Sequence, residues 1–219
     1  MFIGHYALGL AAKRVAPRTS LGTLFAAPSF ADLLWPVFLL LGWEEARLLP
    51  SANPFLGLWL DHIPISHSLV ALCAWGLLFG FVYFKRTTYM RGAVVSGVLV
   101  LSHWVLDWVT HRPDMPLYPG GPVLGLGLWN SVPGTVVAEG LMLLAALAIY
   151  VQTTRARDRI GSFGFWGLIV LLAGSYGASL FPTTPPPLTA IAIGGIVFGW
   201  LFVLLAWWVD RHRDLRQAV

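Results

Sequence analysis

Six stretches of this chain, approximately 19–42, 66–84, 92–110, 131–152, 162–181 and 189–209, are long and apolar enough to cross a lipid bilayer, which takes about 20 mostly apolar residues in a helix. Inside hydrocarbon every backbone amide and carbonyl must find a partner within the chain, so such stretches fold as helices. Charged residues are 11% of the 219 and hydrophobic residues 57%, where an ordinary soluble domain carries about 25% charged. So few charges cannot cover a soluble surface, and intrinsic disorder needs the opposite composition. The expected fold is all-α: a single integral membrane domain over 1–219, a polytopic bundle of about six transmembrane helices. The first apolar run, up to Ala12, is too short to span and is expected as an N-terminal half-helix packed against the rest.

Orientation follows from where the basic residues fall. Lys13, Arg14 and Arg18 precede the first span; Lys85, Arg86 and Arg91 separate the second and third. Arg155, Arg157 and Arg159 separate the fourth and fifth, and Arg211, Arg213 and Arg216 follow the sixth. Only Arg47 and Arg112 lie in the alternate connections. Both termini are therefore expected on the cytoplasmic side of the cell (inner) membrane, with 43–65, 111–130 and 182–188 facing outward. The opening Met1-Phe2-Ile3-Gly4-His5 lacks the charged region and cleavage site of a secretory signal. Topology and anionic headgroups account for the basic clusters, so no nucleic-acid partner is expected. Phe181–Pro187 is expected as a stiff turn between the last two spans. The one cysteine, Cys73, excludes an internal disulfide and a cysteine-built metal site.

Ionisable residues inside the apolar stretches are the informative exception. His5, Asp32, His67, His103, Asp107 and Glu139 all lie there, at a cost of a few kcal/mol each near a helix centre, and such groups face a cavity or one another. Counted along the helices, they converge in the outer half of the membrane. His103 and Asp107 are four apart, so on a helix they share a face and can bind one ion; a hydrogen-bonded His–Asp pair has the same spacing. His111 extends the stripe where Arg112-Pro113 ends the helix. In Asp61-His62-Ile63-Pro64-Ile65-Ser66-His67-Ser68, Pro64 and Ser66 can start the second span, with His67 in its first turn and His62 before it. His62 reads equally as a loop residue at headgroup level. Asp32 sits between Pro28 and Pro36, each removing a helical hydrogen bond. Glu139 follows a helix start capped by Asn130 or Ser131 and reads as a ligand, a general base or a partner for a buried histidine.

This order of motifs resembles the bacterial and archaeal membrane-bound metal-dependent hydrolases, and more distantly the zinc-dependent phospholipase C and P1-type nuclease group. The resemblance covers roughly residues 1–140; the helices over 141–219 carry no matching motif. His5 matches the family's N-terminal histidine, His62 and His67 the histidines of its HRxxTHS element, and His103 and Asp107 its HxxxD. The family's Pro-Asp-x-Asp is here Pro28-Ser29-Phe30-Ala31-Asp32, and Ile63 stands where an arginine is usual. The resemblance implies a first metal on Asp32, His67, His103 and Asp107. It implies a second sharing Asp107 with His5, completed by Glu139 or His111. Such a His/carboxylate set suits one or two zinc ions, and also iron or manganese.

The expected function is an intramembrane metal-dependent hydrolase cleaving an ester or phosphodiester bond of a lipid or lipid-linked substrate through a metal-activated water. Glu139 and His62 are the candidate catalytic residues; His5, Asp32, His67, His103 and Asp107 are the candidate ligands. Two alternatives stand beside it: an ion- or proton-coupled transporter using the same His/Asp groups, and a non-catalytic membrane protein with a structural metal. Asp114, in an exterior loop, is expected to be indifferent to the site.

Overall fold

The computed structural model describes residues 1–181 and 185–216. Its helices are α1 (Ile3–Val15), α2 (Leu21–Ala26), α3 (Phe30–Leu40), α4 (Leu69–Thr87), α5 (Met90–Thr110), α6 (Val132–Thr153), α7 (Phe165–Ser179) and α8 (Leu188–Asp210). A π-helical turn, Ile160–Gly164, leads into α7. The fold is an all-α bundle, and five of its helices, α4 to α8 with that turn, are long and apolar enough to cross a membrane. Serine caps set three of the starts: Ser20, Ser68 and Ser131 accept from the amides of Thr23, Ala71 and Gly134, which occupies orphan donors of the first turn. The expected turn at 181–187 falls partly on residues 182–184, outside the described residues.

The first apolar stretch, expected as one span, is instead broken into two helices too short to cross a membrane singly. Pro28 brings no amide to the helical ladder, and the chain turns through Ala27–Ser29 between α2 and α3. The pair still runs alongside α8 in the opposite direction. Gly22 lies against Val203 and Trp207, then Leu33 against Gly199, then Pro36 against Gly195. From Trp207 to Gly195 is about 18 Å of helix at 1.5 Å per residue, so two short helices cover most of one traverse.

Helix α1 is the expected half-helix, 13 residues long and enclosed by α2, α5 and α6. Its first turn lies at the candidate site and its last at the basic side of the bundle. There Lys13 departs from the role expected of it. Its ammonium is buried and donates to Asp210 Oδ2 at 2.8 Å and to the Thr19 carbonyl at 2.9 Å. Asp210 also accepts from the Leu21 amide at 3.0 Å. A lysine one turn from a helix end has the reach to satisfy internal acceptors instead of lipid headgroups. Removing one partner strands the other charge, at a cost of about 3–5 kcal/mol. Lys13→Met is therefore expected to lower the thermal midpoint in detergent sharply, and Lys13→Met with Asp210→Leu to recover much of the loss.

Helices α4 and α5 pack backbone to backbone. A Cβ at Gly76 would lie 2.7 Å from the Gly97 carbonyl oxygen, and one at Gly97 would lie 2.9 Å from that of Gly76. Small residues permit this backbone approach, as they do in membrane helix pairs generally. It fixes α5, which carries His103 and Asp107, against the start of α4, where His67 lies.

Three two-stranded antiparallel ribbons close the ends: β1 (Glu45–Leu48) with β2 (Leu58–His62), β3 (Met115–Pro116) with β4 (Val123–Leu124), and β5 (Thr154–Ala156) with β6 (Arg213–Leu215). The first two sit at the end where α4 begins and α5 stops. Arg112 holds them together, donating to the Leu56 and Leu58 carbonyls at 3.0 and 3.3 Å and stacking on Trp59. The third joins the opposite ends of α6 and α8. Beside it Asp158 is held below the usual carboxylate range by a 2.7 Å hydrogen bond from His212 Nδ1, then by the Gly161 amide.

Candidate metal centre

Three histidines reach one point from three differently built places. His103 lies in the middle of α5 and Asp107 one turn on, so both project from one face. His111 is the C-cap of α5, with its amide on the Asp107 carbonyl at 2.7 Å. His67 lies just before α4, not in its first turn. Ser68, not Ser66, is the cap, and its hydroxyl donates to the Pro64 carbonyl at 2.6 Å, closing a turn over 64–68. Asp32 occupies the first turn of α3 beside the proline break.

The second ring nitrogen of each histidine determines what the first can do. His103 Nδ1 lies 2.7 Å from the Pro28 carbonyl, a group that only accepts. His111 Nδ1 lies 2.9 Å from Asp114 Oδ1. His67 Nδ1 lies 2.6 Å from Ser66 Oγ, whose proton goes to Glu44 Oε2 at 2.6 Å, so the serine oxygen receives the ring N–H. In all three rings Nδ1 therefore carries the proton and Nε2 a bare lone pair.

Those lone pairs converge on carboxylate oxygens. From Asp107 Oδ2 the Nε2 atoms of His103, His111 and His67 are 2.9, 3.7 and 3.9 Å away. Asp32 Oδ1 is 3.7 Å from His67 Nε2 and 3.9 Å from His103 Nε2. The longer separations exceed hydrogen-bond range, and His103 Nε2 is buried without a hydrogen-bond partner. Acceptors gathered face to face repel unless a cation lies among them. Four donors about 2.0–2.1 Å from one tetrahedral ion stand about 3.3–3.4 Å apart, and the observed 2.9–3.9 Å brackets that spacing. Asp32, His67 and His103 form one group that could hold a metal ion, and His5, His103 and Asp107 form another.

His5 is on the other side of Asp107. Its Nε2 is 3.1 Å from Oδ1, which the Met1 amino group also contacts, and its ring stacks on His103 with centroids 4.0 Å apart. Glu139 reaches in from α6, but its Oε2 accepts from the amides of Phe2 and Gly4, both at 3.0 Å. It thereby satisfies orphan donors at the start of α1 and fixes His5. Its Oε1 is buried and without a partner. His62 stands apart from the group: it is exposed at the end of β2, in register with Glu45.

Two carboxylates escaped the sequence reading. Glu44 is fully buried between α3 and β1 and accepts from the Ile65 and Ser66 amides, both at 2.8 Å, as well as from Ser66 Oγ. Asp114 is no bystander; it is buried and holds His111. Asp114→Ala is therefore expected to release the His111 ring while leaving metal affinity close to the parent's, because His111 is not in either group that could hold an ion. Competition with a calibrated chelator measures it.

The centre opens into a cavity of about 300 Å³ that reaches Asp32, His67, Asp107 and His111. Trp129 covers His111, with ring centroids 4.0 Å apart. Asp32 is the accessible member, its side chain 50% exposed where Asp107 is 3%. No family model matches this chain, and no curated protein or solved structure matches it either.

Proposed function

We propose that the protein is an intramembrane metal-dependent hydrolase that cleaves an ester or phosphodiester bond of a lipid. The observation that carries this reading is the convergence of three histidine lone pairs, each fixed by an acceptor on Nδ1, upon two carboxylates. A structural site closes its coordination with protein groups, whereas a catalytic one keeps an open side. Asp32, His67 and His103 supply three donors to such an ion and leave its fourth position open on the cavity side, where Asp32 is accessible. A bound ion of the zinc type supplies Lewis-acid polarisation and a water of lowered pKa.

The chain's own residues divide the remaining work. Asp32 and Asp107 offset the charge of a divalent cation, while His67 and His103 hold it as neutral donors. Once those four are assigned, His111 is left as a base at the cavity wall. Its Nε2 is bare and its Nδ1–H is held by Asp114, so it is placed to accept a proton at Nε2 and return it to a leaving oxygen. This gives His111 the role that the sequence suggested for Glu139 or His62. The donors favour one ion over two. One lone pair serves one ion, and with His103 Nε2 assigned, a second ion retains His5 and one oxygen of Asp107.

The resemblance to membrane-bound metal-dependent hydrolases agrees with this reading, as does the basic-residue asymmetry, which puts the centre nearer the outer face of a cell membrane. The test of function is the metal content of protein purified without added metal, with hydrolysis of ester and phosphodiester lipids followed before and after chelation. One zinc, iron or manganese per chain is expected, with activity lost on chelation and restored by metal. A folded, active, metal-free preparation overturns it. Membrane orientation is tested separately. A cysteine at Ser51 in a Cys73→Ala background should react with an impermeant reagent added to intact cells, and one at Arg157 should not.

A further inference from the structure

The shape and lining of the cavity restrict what the site can take. Its roof is apolar: Leu58 and Leu60 of β2 and Trp129 close it toward the end of the bundle. Its floor and one wall are the catalytic groups. The remaining wall is the cleft between α3 and α8, lined by Leu33, Pro36, Ile191, Phe198 and Phe202. Phe198 is 51% exposed while lining the cavity, so the cleft opens sideways, through the face of the bundle that meets lipid. Gly195 and Gly199 let α8 pack directly on α3 beside the cleft; Cβ atoms there would stand 3.0 Å from Pro36 and 2.8 Å from Leu33.

The polar atoms around the cavity point to one kind of head group. Ser29, Trp35 and Trp129 line it, and Ser29 Oγ, Trp35 Nε1 and Trp129 Nε1 are buried without a hydrogen-bond partner. A buried unpaired donor costs about 1–3 kcal/mol, so three beside one cavity ask for a ligand that brings acceptors. No lysine or arginine side chain is among the described residues that line it, whereas Asp32 and Asp107 are. Recognition of a phosphate relies on arginine forks, lysine or excess metal charge, and here the two carboxylates already balance a divalent ion while the Met1 amino group that lines the cavity is held by Asp107. At about 300 Å³ the cavity is at the small end of ligand sites, which suits one hydrocarbon chain better than two.

From these features we infer that the substrate is a single-chain, uncharged ester lipid of the monoacylglycerol type, entering from the bilayer between α3 and α8. Its chain lies along Leu33, Ile191 and Phe198, and its ester and hydroxyl oxygens lie among Ser29, Trp35 and Trp129. The reaction is then ordinary ester hydrolysis. Water adds to the acyl carbon, the acyl–oxygen bond breaks, the glycerol oxygen takes a proton, and a fatty acid leaves. This inference rests on the hydrolase reading for its reaction, and on the cleft alone for its binding.

Binding is tested with a non-hydrolysable probe, the ether lipid 1-O-hexadecylglycerol carrying a brominated chain, read by quenching of tryptophan fluorescence. Hexadecyl phosphate with the same brominated chain serves as the anionic comparison. The neutral ether is expected to quench saturably and to bind at least about tenfold more tightly than the phosphate, a difference of about 1.4 kcal/mol. Ile191→Phe, which fills the cleft without touching a metal donor or adding a tryptophan, should weaken ether binding by a similar factor while leaving metal content unchanged. Leu33→Phe is the second filling variant, and either one that folds with full metal content decides the matter. Equal or tighter binding of the phosphate overturns the neutral head, and undiminished binding to a filled variant overturns the cleft. Absence of metal in the parent overturns the hydrolase reading and leaves the binding result to stand by itself.

Discussion

Asp107→Asn is expected to abolish metal retention and hydrolysis together while leaving the bundle folded. Asp107 lies within 4 Å of every histidine at the centre: Oδ2 faces His67, His103 and His111, and Oδ1 faces His5. Asparagine keeps the volume but removes the charge. Its amide also places donor hydrogens or a neutral oxygen where an ion requires an anion. Loss of an outer partner of a metal ligand already costs about 10–100-fold in affinity, so loss of a shared carboxylate ligand should exceed that range. Metal analysis should then find well under one ion per chain. Circular dichroism and detergent stability should change less, because the packing of the long helices does not depend on the ion. If Asp107→Asn retains metal as the parent does, the centre is a buried His–Asp hydrogen-bond network and the hydrolase reading falls with it.

The parts of this site that were legible in the sequence share one property: each is costly unless it has a purpose. His5, Asp32, His67, His103 and Asp107 stand out because ionisable groups are rare inside apolar helices, and the structure brings all five together. The 3.6-residue period placed His103 over Asp107 without further information. The prolines around Asp32 foretold a break, and the break has a use that spacing alone does not reveal: the Pro28 carbonyl holds His103. What stayed hidden lies in the connections. Glu44, Ser66 and Asp114 sit in polar segments where carboxylates and hydroxyls are ordinary. Glu44 is 21 to 22 residues from the groups it binds, and no local period records such a contact. His62 went the other way. Its place in a motif suggested chemistry, but it ends β2 exposed at the surface. Lys13 was read from its neighbours as a topology signal, and the partly buried Asp210 opposite it comes from the far end of the chain.

The chain Glu44–Ser66–His67 makes the second large effect, and its direction depends on one proton. Glu44 Oε1 accepts the Ile65 and Ser66 amides, so a glutamine there must keep its carbonyl oxygen on them and present its NH2 to Ser66 Oγ. The serine hydroxyl can then no longer donate to residue 44. It turns its proton toward His67 Nδ1, which becomes the acceptor, and the ring proton moves to Nε2, closing the lone pair that faces Asp32 and Asp107. Glu44→Gln is therefore expected to weaken metal binding by about 10–100-fold in a protein that still folds. The nitrogen NMR shifts of His67 should show protonation moving from Nδ1 to Nε2. Glu44→Ala differs in kind, because it strands two amides and a hydroxyl at about 1–3 kcal/mol each and should lower stability outright. Were Glu44 only a structural plug, both variants would destabilise in proportion and the His67 tautomer would not change. A folded Glu44→Gln protein with the altered tautomer and weakened metal binding is the outcome that only an orienting role for Glu44 produces.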